Sequence, residues 1–411
     1  MAELFYKFLL KGYRGGIAMA SLFNSKAKKA RKGRKKLLKS ISKALEDNTA
    51  PIIWIHCASL GEFEQGRPVI ERLNTVFPEY KIALTFFSPS GYEVSQNYEH
   101  ADYIFYLPWD SASNAEKFIS LLNPSMAIFV KYEFWHYFIK ELHHRNIPVI
   151  SISAIFRKSQ IYFKPYGTFY LNILKKLTHI FVQNRQSEVL LRKFGIEQVT
   201  LGGDTRFDRV STIIAARKSL RKVREFKGDD EIMVIGSVWP EDLDVILPFI
   251  NSVPLKFIIA PHEINGKCQD RIVNEIHGKT LLYSDIDKME GDEQVLVIDN
   301  IGLLSSLYGY GEYAYVGGAF GAGLHNILEA AVYGIPVFFG NKNYKKFNEA
   351  VELIKLGGAV AIGTDTELRE KFHSFKDEAT MQIARQVNRG YVKENTGATD
   401  KIISYCLKIL S

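Results

Sequence analysis

A chain of 411 residues is longer than one ordinary core and points to two domains of comparable size. Apolar residues at 46% and aromatics at 13% exclude a disordered chain, and the wide spacing of Cys57, Cys268 and Cys406 excludes a disulfide framework or cysteine zinc site and indicates a reducing compartment. The net charge of +8 is a local device: nine basic residues fall in KAKKARKGRKKLLK, residues 26–39, and 53 basic residues less those nine is 44 against 45 acidic.

The chain begins MAELFYKFLLKGYRGGIAMASLF, with Phe5, Phe8 and Leu9 within one helical turn and Lys7, Lys11 and Arg14 breaking the apolar runs. No run approaches the ~18 apolar residues that span a bilayer, and there is no convincing signal-peptide core. Residues 1–48 are therefore expected to form a basic, amphipathic segment lying on an anionic membrane surface, where each Lys or Arg contributes about 1 kcal/mol. The competing readings are a solvated arm or a nucleic-acid-binding one. The near-neutral remainder has no basic stripe with interleaved aromatics, so no nucleic-acid partner is expected.

Beyond residue 50, short apolar segments alternate with helical stretches. IIWIHCA, KIALTFF, DYIFYL, MAIFVK, IPVISIS and HIFVQ are too uniformly apolar for a solvated face, as in a parallel sheet covered by helices. A second series follows: EIMVIGS, LKFIIAP, QVLVID, YAYVGG and PVFFG. The pattern predicts an α/β chain of two doubly wound, Rossmann-like domains facing an interdomain cleft, over residues 49–205 and 231–411, with 206–230 as connector and the last helix a candidate to pack back on the first domain.

Two stretches carry chemistry. In IHCASLGEFEQGRPVIERL, Ser59-Leu60-Gly61-Glu62 fits a capping box, and Glu62 also sits where a strand hands over to a helix, the edge at which such sheets bind ligands. In YVGGAFGAGLHNILEAAVYGIPVFFG, glycines including Gly321 and Gly323 precede a helix expected over NILEAAVYG. Such a loop lets backbone amides cradle a phosphate at a helix start, and Glu329 is placed to accept ribose hydroxyls. The spacing is neither GxGxxG nor a Walker pattern. The plainer reading is turn glycines with Asn326 and Glu329 as a second capping pair.

These residues, in this order, resemble the Kdo transferases, GT-B glycosyltransferases that move 3-deoxy-D-manno-oct-2-ulosonic acid (Kdo) from CMP-Kdo to the lipid A precursor. The H-x-x-S-x-G-E element is His56 to Glu62, and its glutamate is the family's catalytic base. The E-T-E-x-W element is similar to Lys131-Tyr132-Glu133-Phe134-Trp135, without the first acid, and implies a transition-state role for Glu133. G-x-x-K-F-D resembles Gly203-Asp204-Thr205-Arg206-Phe207-Asp208, with Arg206 in the lysine's place, and G-G-H-N-x-L-E resembles Ala322 to Glu329. Departures are Ala260-Pro261-His262-Glu263 where the family often has P-R-H-P-E-R, and Asp299-Asn300-Ile301-Gly302-Leu303-Leu304 where it has D-x-x-G-E-L.

The resemblance implies Glu62, Glu133 and Arg206 as catalytic residues, and Pro261, His262, Gly302, Gly321, Gly323, His325, Asn326, Leu328 and Glu329 around the nucleotide. It also implies an inverting transfer at the cytoplasmic face of the inner membrane. Glu62 is expected to stay ionised, favoured by the helix dipole, while Arg206, His325 and the amides after Gly321 and Gly323 stabilise the leaving monophosphate. Arg206 could instead pair with Asp204 or Asp208. No cofactor is expected, and no metal, because no DxD stands at a strand end. UDP-sugar transferases and nucleotide-sugar 2-epimerases share the fold and remain alternatives, separable by cytidine against uridine preference.

Overall fold

Among the described residues the chain forms two seven-stranded, wholly parallel sheets. The first contains β1 (Ile52–Cys57), β2 (Lys81–Phe86), β3 (Tyr103–Tyr106), β4 (Pro124–Val130), β5 (Val149–Ala154), β6 (His179–Val182) and β7 (Val199–Leu201), in the order β3-β2-β1-β4-β5-β6-β7. The second contains β8 (Ile232–Val238), β9 (Lys256–Pro261), β10 (Thr280–Leu282), β11 (Val295–Val297), β12 (Tyr313–Val316), β13 (Val337–Gly340) and β14 (Ala359–Ile362), in the order β10-β11-β9-β8-β12-β13-β14. This computed structural model describes residues 2–215, 217–264, 266–321 and 323–410. The chain divides into Met1–Arg209 with Thr396–Ser411, and Val210–Asn395.

Side chains alternate across β1, so the first sheet buries two distinct cores. Ile52 and Trp54 pack on one face with Tyr6, Leu37 and Ile41 from the amino-terminal helices and with Phe118 and Phe138. Ile53, Ile55 and Cys57 pack on the other with Phe63 and Ile70, and with Ile402, Ile403 and Cys406 from the last helix, Ala398–Leu410. That helix is tied down by Asp208, which accepts from the Gly397 and Thr399 amides at 2.6 and 2.7 Å and from the Thr399 hydroxyl at 2.7 Å. Asp208 is thus a cap for a distant segment.

The segment 1–48 is not a detached arm. It folds as helices Ala2–Ala20, Ser25–Gly33 and Leu37–Ala44, anchored by the Tyr6 hydroxyl donating to Asp110 Oδ2 at 2.6 Å. Arg34, inside the basic cluster, lies over the rings of Trp109, Phe87 and Tyr106 and donates to the carbonyls of Ala30, Phe87 and Leu107. No described helix is long and apolar enough to cross a membrane.

Residues 206–230 also fold, into helices Thr205–Ala215 and Arg221–Lys227, and the division of the chain falls inside the first of these. Val223 and Phe226 are buried, which is why this stretch is helical rather than a free connector. The apolar-run reading missed β7, β10 and β14. β7 and β10 are three-residue edge strands with partly exposed side chains and no continuous apolar run, whereas β14, an edge strand too, is an apolar run of only four residues, Ala359–Ile362, with Ala359 and Ile362 buried.

Candidate active site

In each sheet the strand order reverses beside the first strand, between β1 and β4 and between β8 and β12, and the crevices at such points lie beyond the strand carboxyl ends. Glu62 leaves β1 on helix Leu60–Val76, and Glu133 leaves β4 three residues past Val130. The two acids therefore occupy the two lips of the first switch point. Lys131, between them in the chain, holds φ at +64°, a left-handed conformation that costs a non-glycine residue about 1–2 kcal/mol and turns the backbone sharply out of the strand.

Glu62 is 7% exposed and closes the capping box, accepting from the Ser59 amide at 3.1 Å. Burial pushes its carboxyl up to about 7, the Glu133 carboxylate adds to that rise, and Lys131 with the backbone at Ala58 and Ser59 pulls against it. The expectation that the helix dipole keeps Glu62 fully ionised is corrected: desolvation outweighs it. Burial raises Glu133 as well. Two desolvated acids thus share one edge, one of them poised near neutrality.

Arg206 opens helix Thr205–Ala215 beside them. Its guanidinium binds Asp204 Oδ2, at 2.7 Å from Nη2 and 3.0 Å from Nε, and its amide donates to Asp204 Oδ1. Asp204 also accepts from Gln65 on the Glu62 helix at 2.9 Å, and the Thr205 hydroxyl donates to the Gln65 carbonyl. Of the two alternatives for Arg206, the pair with Asp204 forms. The 203–206 turn thereby fastens Arg206 to the helix that carries Glu62.

In the second sheet the switch point is lined by flat rings. The Trp239 and His262 rings stack at 4.2 Å and 19°, His325 lies 4.7 Å from His262, and the Trp239 indole donates to His325 Nε2 at 2.9 Å. Burial, then the neighbouring His262, holds His325 down at about 4. At neutral pH the ring is thus uncharged, and its accepting Nε2 leaves the proton on Nδ1. His325 can donate a hydrogen bond to a phosphate but brings no charge, which corrects its expected role.

The glycine loop also differs from its expected form. The Gly321 and Gly323 amides both donate to the Gly318 carbonyl, at 3.1 and 2.9 Å, and the His325 amide donates to Gly317 O at 3.2 Å. The Gly321 and Gly323 amides are used in folding the loop, and Ala322, whose amide is one of the two expected to meet the phosphate, lies outside the described residues. The helix expected over residues 326–334 shrinks to Leu328–Ala331, too short for a useful dipole. Asn326 donates to Glu329 at 3.1 Å and accepts from the Leu328 amide, so the capping-pair reading holds in the reordered form of side chain to side chain. Leu328 is fully buried.

Pro261 ends β9 with His262 directly after it, and Gly302, at φ +92°, stands in the loop beyond β11 with open space around it. Three residues escaped the sequence reading. Asp242, fully buried, accepts from the Trp239 amide, the Gly318 amide and the Tyr315 hydroxyl, each at 2.9 Å, and so knots the two lips of the switch point together. The signal was the Trp239-Pro240-Glu241-Asp242 run after a strand, an N3 acid of the kind found for Glu62. Lys342 lies over Phe320, and the Lys346 ammonium stands 3.0 Å from where a Cβ on Gly323 would be. NKNYKK after β13 was the visible trace. No group of three or more His, Cys, Asp or Glu suited to a metal occurs among the described residues.

Residues 28–209 match the family model described as 3-Deoxy-D-manno-octulosonic-acid transferase (kdotransferase), a span that contains Glu62, Glu133 and Arg206. The chain is 29% identical over 333 residues to the 3-deoxy-D-manno-octulosonic acid transferase of Aquifex aeolicus, covering 79% of this chain and 86% of that one. With the enzyme of the same name from Haemophilus influenzae it shares 24% identity over 369 residues, 85% of each chain. The crystal structure of UDP-GlcNAc 2-epimerase from Neisseria meningitidis bound to UDP-GlcNAc superposes with a TM-score of 0.61 at 16% identity, over 87% of this chain and all of that one. That likeness is one of fold, the GT-B arrangement of two Rossmann-like domains. Over most of its length the chain is thus similar to 3-deoxy-D-manno-octulosonic acid transferases, which are glycosyltransferases, and residues 28–209 match the model of that family.

Proposed function

We propose that the chain transfers Kdo from CMP-Kdo to a hydroxyl of the lipid A precursor, with inversion, at the cytoplasmic face of the inner membrane. The observation that carries this reading is Glu62: a buried carboxylate at a sheet switch point, poised near neutrality and backed by a second acid. A sugar hydroxyl titrates far above 7 and needs a base as it attacks, and a base whose pKa lies near the working pH is most effective. In this mechanism Glu62 takes the hydroxyl proton, and the oxygen attacks the anomeric carbon from the face opposite the departing CMP. Glu133, by its negative charge, raises the basicity of Glu62 and favours the oxocarbenium-like transition state.

For the donor, the Trp239–His262 stack offers a planar base a ring face, since the His262 side chain is exposed. His325 Nδ1–H, Lys342 and Lys346 supply hydrogen bonding and charge to the monophosphate, and Glu329 accepts from the ribose. Membrane attachment draws support from the first helix and the turn after it, where Phe5, Phe8, Leu22 and Phe23 are 64 to 91% exposed beside the basic cluster.

The test is transfer from CMP-Kdo, generated in situ, to tetraacyl lipid A precursor. Product with CMP-Kdo, and none with UDP-GlcNAc as donor, is the expected result. Turnover of UDP-GlcNAc instead would favour the epimerase-like alternative. Because no step needs a metal, EDTA is expected to leave the rate within about twofold, and a loss of tenfold or more would overturn that part of the mechanism.

A further inference from the structure

We infer that the amino-terminal helical hairpin and the loop after β3 together form a pocket for the phosphate of a lipid headgroup. A cavity of about 360 Å³ opens there, lined by Lys11, Arg14 and Gly15 of the first helix, Arg31 of the second, and the Trp109 ring. Three cations converge on it, and none of its lining residues is a carboxylate. Neither Lys11 nor Arg14 has an acidic partner among the described residues, whereas Lys29, just outside, pairs with Glu93 at 3.1 Å. Arg31 is held in place by donating to Ser21 Oγ at 3.2 Å. The three cations are solvent-exposed and gathered without a carboxylate among them, and two arginines with a lysine suit a phosphate's geometry and charge.

Position argues for a lipid as the source. The helix that supplies Lys11 and Arg14 is the one whose Leu4, Phe5, Phe8 and Met19 side chains are exposed, so the pocket opens where headgroups lie when that apolar surface meets a bilayer. From the pocket wall a line of rings leads toward the acids: Trp109 meets Phe87 at 5.8 Å, and Phe87 stacks on Trp135 at 4.6 Å and 27°, two residues from Glu133. Tyr13 packs against both Phe87 and Trp109. Ring faces of this kind take the CH faces of a sugar, and the buried Trp135 Nε1, which has no partner, could donate to one of its oxygens. A phosphorylated glycolipid laid along the rings would reach the carboxylate edge while its phosphate stays among the cations. This assignment of the acceptor rests on the transferase reading above.

Retention on neutral detergent micelles decides it without requiring transfer. The probes are micelles doped with tetraacyl lipid A precursor, the same glycolipid after phosphatase treatment, or phosphatidylglycerol. The proteins are the native chain, Lys11→Gln/Arg14→Gln, and Lys28→Gln/Lys32→Gln, which removes the same charge outside the cavity. The pocket variant should hold the phosphorylated glycolipid at least about tenfold more weakly, the charge control within about twofold of native, and the native chain should lose a like factor on the dephosphorylated lipid. The same contrast on phosphatidylglycerol alone would assign the pocket to the bilayer's own phosphates. Equal losses in the two variants, or native binding indifferent to phosphatase treatment, would overturn the pocket. A Glu62→Gln protein that retains the glycolipid but does not transfer Kdo separates the two readings, and a native chain that binds but never transfers would refute the function and not the pocket.

Discussion

Replacing Glu62 by glutamine is expected to slow Kdo transfer by about 100- to 10,000-fold and at the same time to raise, not lower, thermal stability at pH 8. The buried carboxyl titrates at about 7 in the folded chain against an ordinary value of 4.5, because the fold desolvates its charged form. Between those two values the folded chain holds a proton that the unfolded chain has lost, so stability falls as pH rises from about 4.5 to 7 and is flat above. The full shift corresponds to about 3 kcal/mol, an order-of-magnitude figure from the size of the displacement. Glutamine removes the buried charge yet keeps an oxygen for the Ser59 amide, so the variant gains stability at pH 8 and matches the native chain near pH 4. If Glu62 were only a cap, glutamine, which still completes the capping box, would leave the rate unaltered. Melting curves at the two pH values beside the transfer assay decide between them. In the native enzyme kcat/KM should climb with pH through about 7, and a profile flat from 5.5 to 8 would remove Glu62 from the base's role.

Asp242→Ala is expected to be the most damaging single change in the second unit, lowering stability by about 3–5 kcal/mol. Its carboxylate accepts from three donors buried with it, and truncation leaves the Trp239 amide, the Gly318 amide and the Tyr315 hydroxyl without partners where water cannot replace it. The loop is poorly able to adjust. Gly318 sits at φ +94° with Gly323 O only 2.4 Å from where a Cβ would stand, and Gly317 is packed as closely against Ser237 O. With the knot cut, Trp239 and His325 lose their mutual register, so CMP binding should weaken along with the unfolding midpoint. Calorimetry with and without CMP checks both. A variant with native CMP affinity and a midpoint within about 2 °C of native would show that Asp242 does not organise this site.

Much of the architecture was legible because its cause is local. Uniform apolar runs such as IIWIHCA must be buried on both faces, and residues of helical period between them must cover those faces, so a doubly wound parallel fold follows from patterning alone. The motif around Glu62 was legible for the same reason, since a capping box at a strand exit has a fixed span in sequence. The short edge strands β7 and β10 were not, because a half-solvated edge imposes no composition, and the apolar β14 was missed because its run is only four residues long.

What only the tertiary structure decided is how polar groups far apart in the chain are paired and desolvated. Nothing within a few residues of Glu62 announces that Glu133 lies near enough to raise it, that Asp204 holds Arg206 and Gln65 together, or that Asp208 caps a helix almost two hundred residues later. The cations of residues 26–39 likewise looked alike in sequence, yet packing half-buries Arg34 among aromatic rings, turns Arg31 toward a cavity and leaves Lys28 in solvent. Sequence by itself determined which residues could be chemical, by setting their type and their place at strand ends. Burial and long-range pairing, which depend on the whole fold, decided which of them carry usable charge.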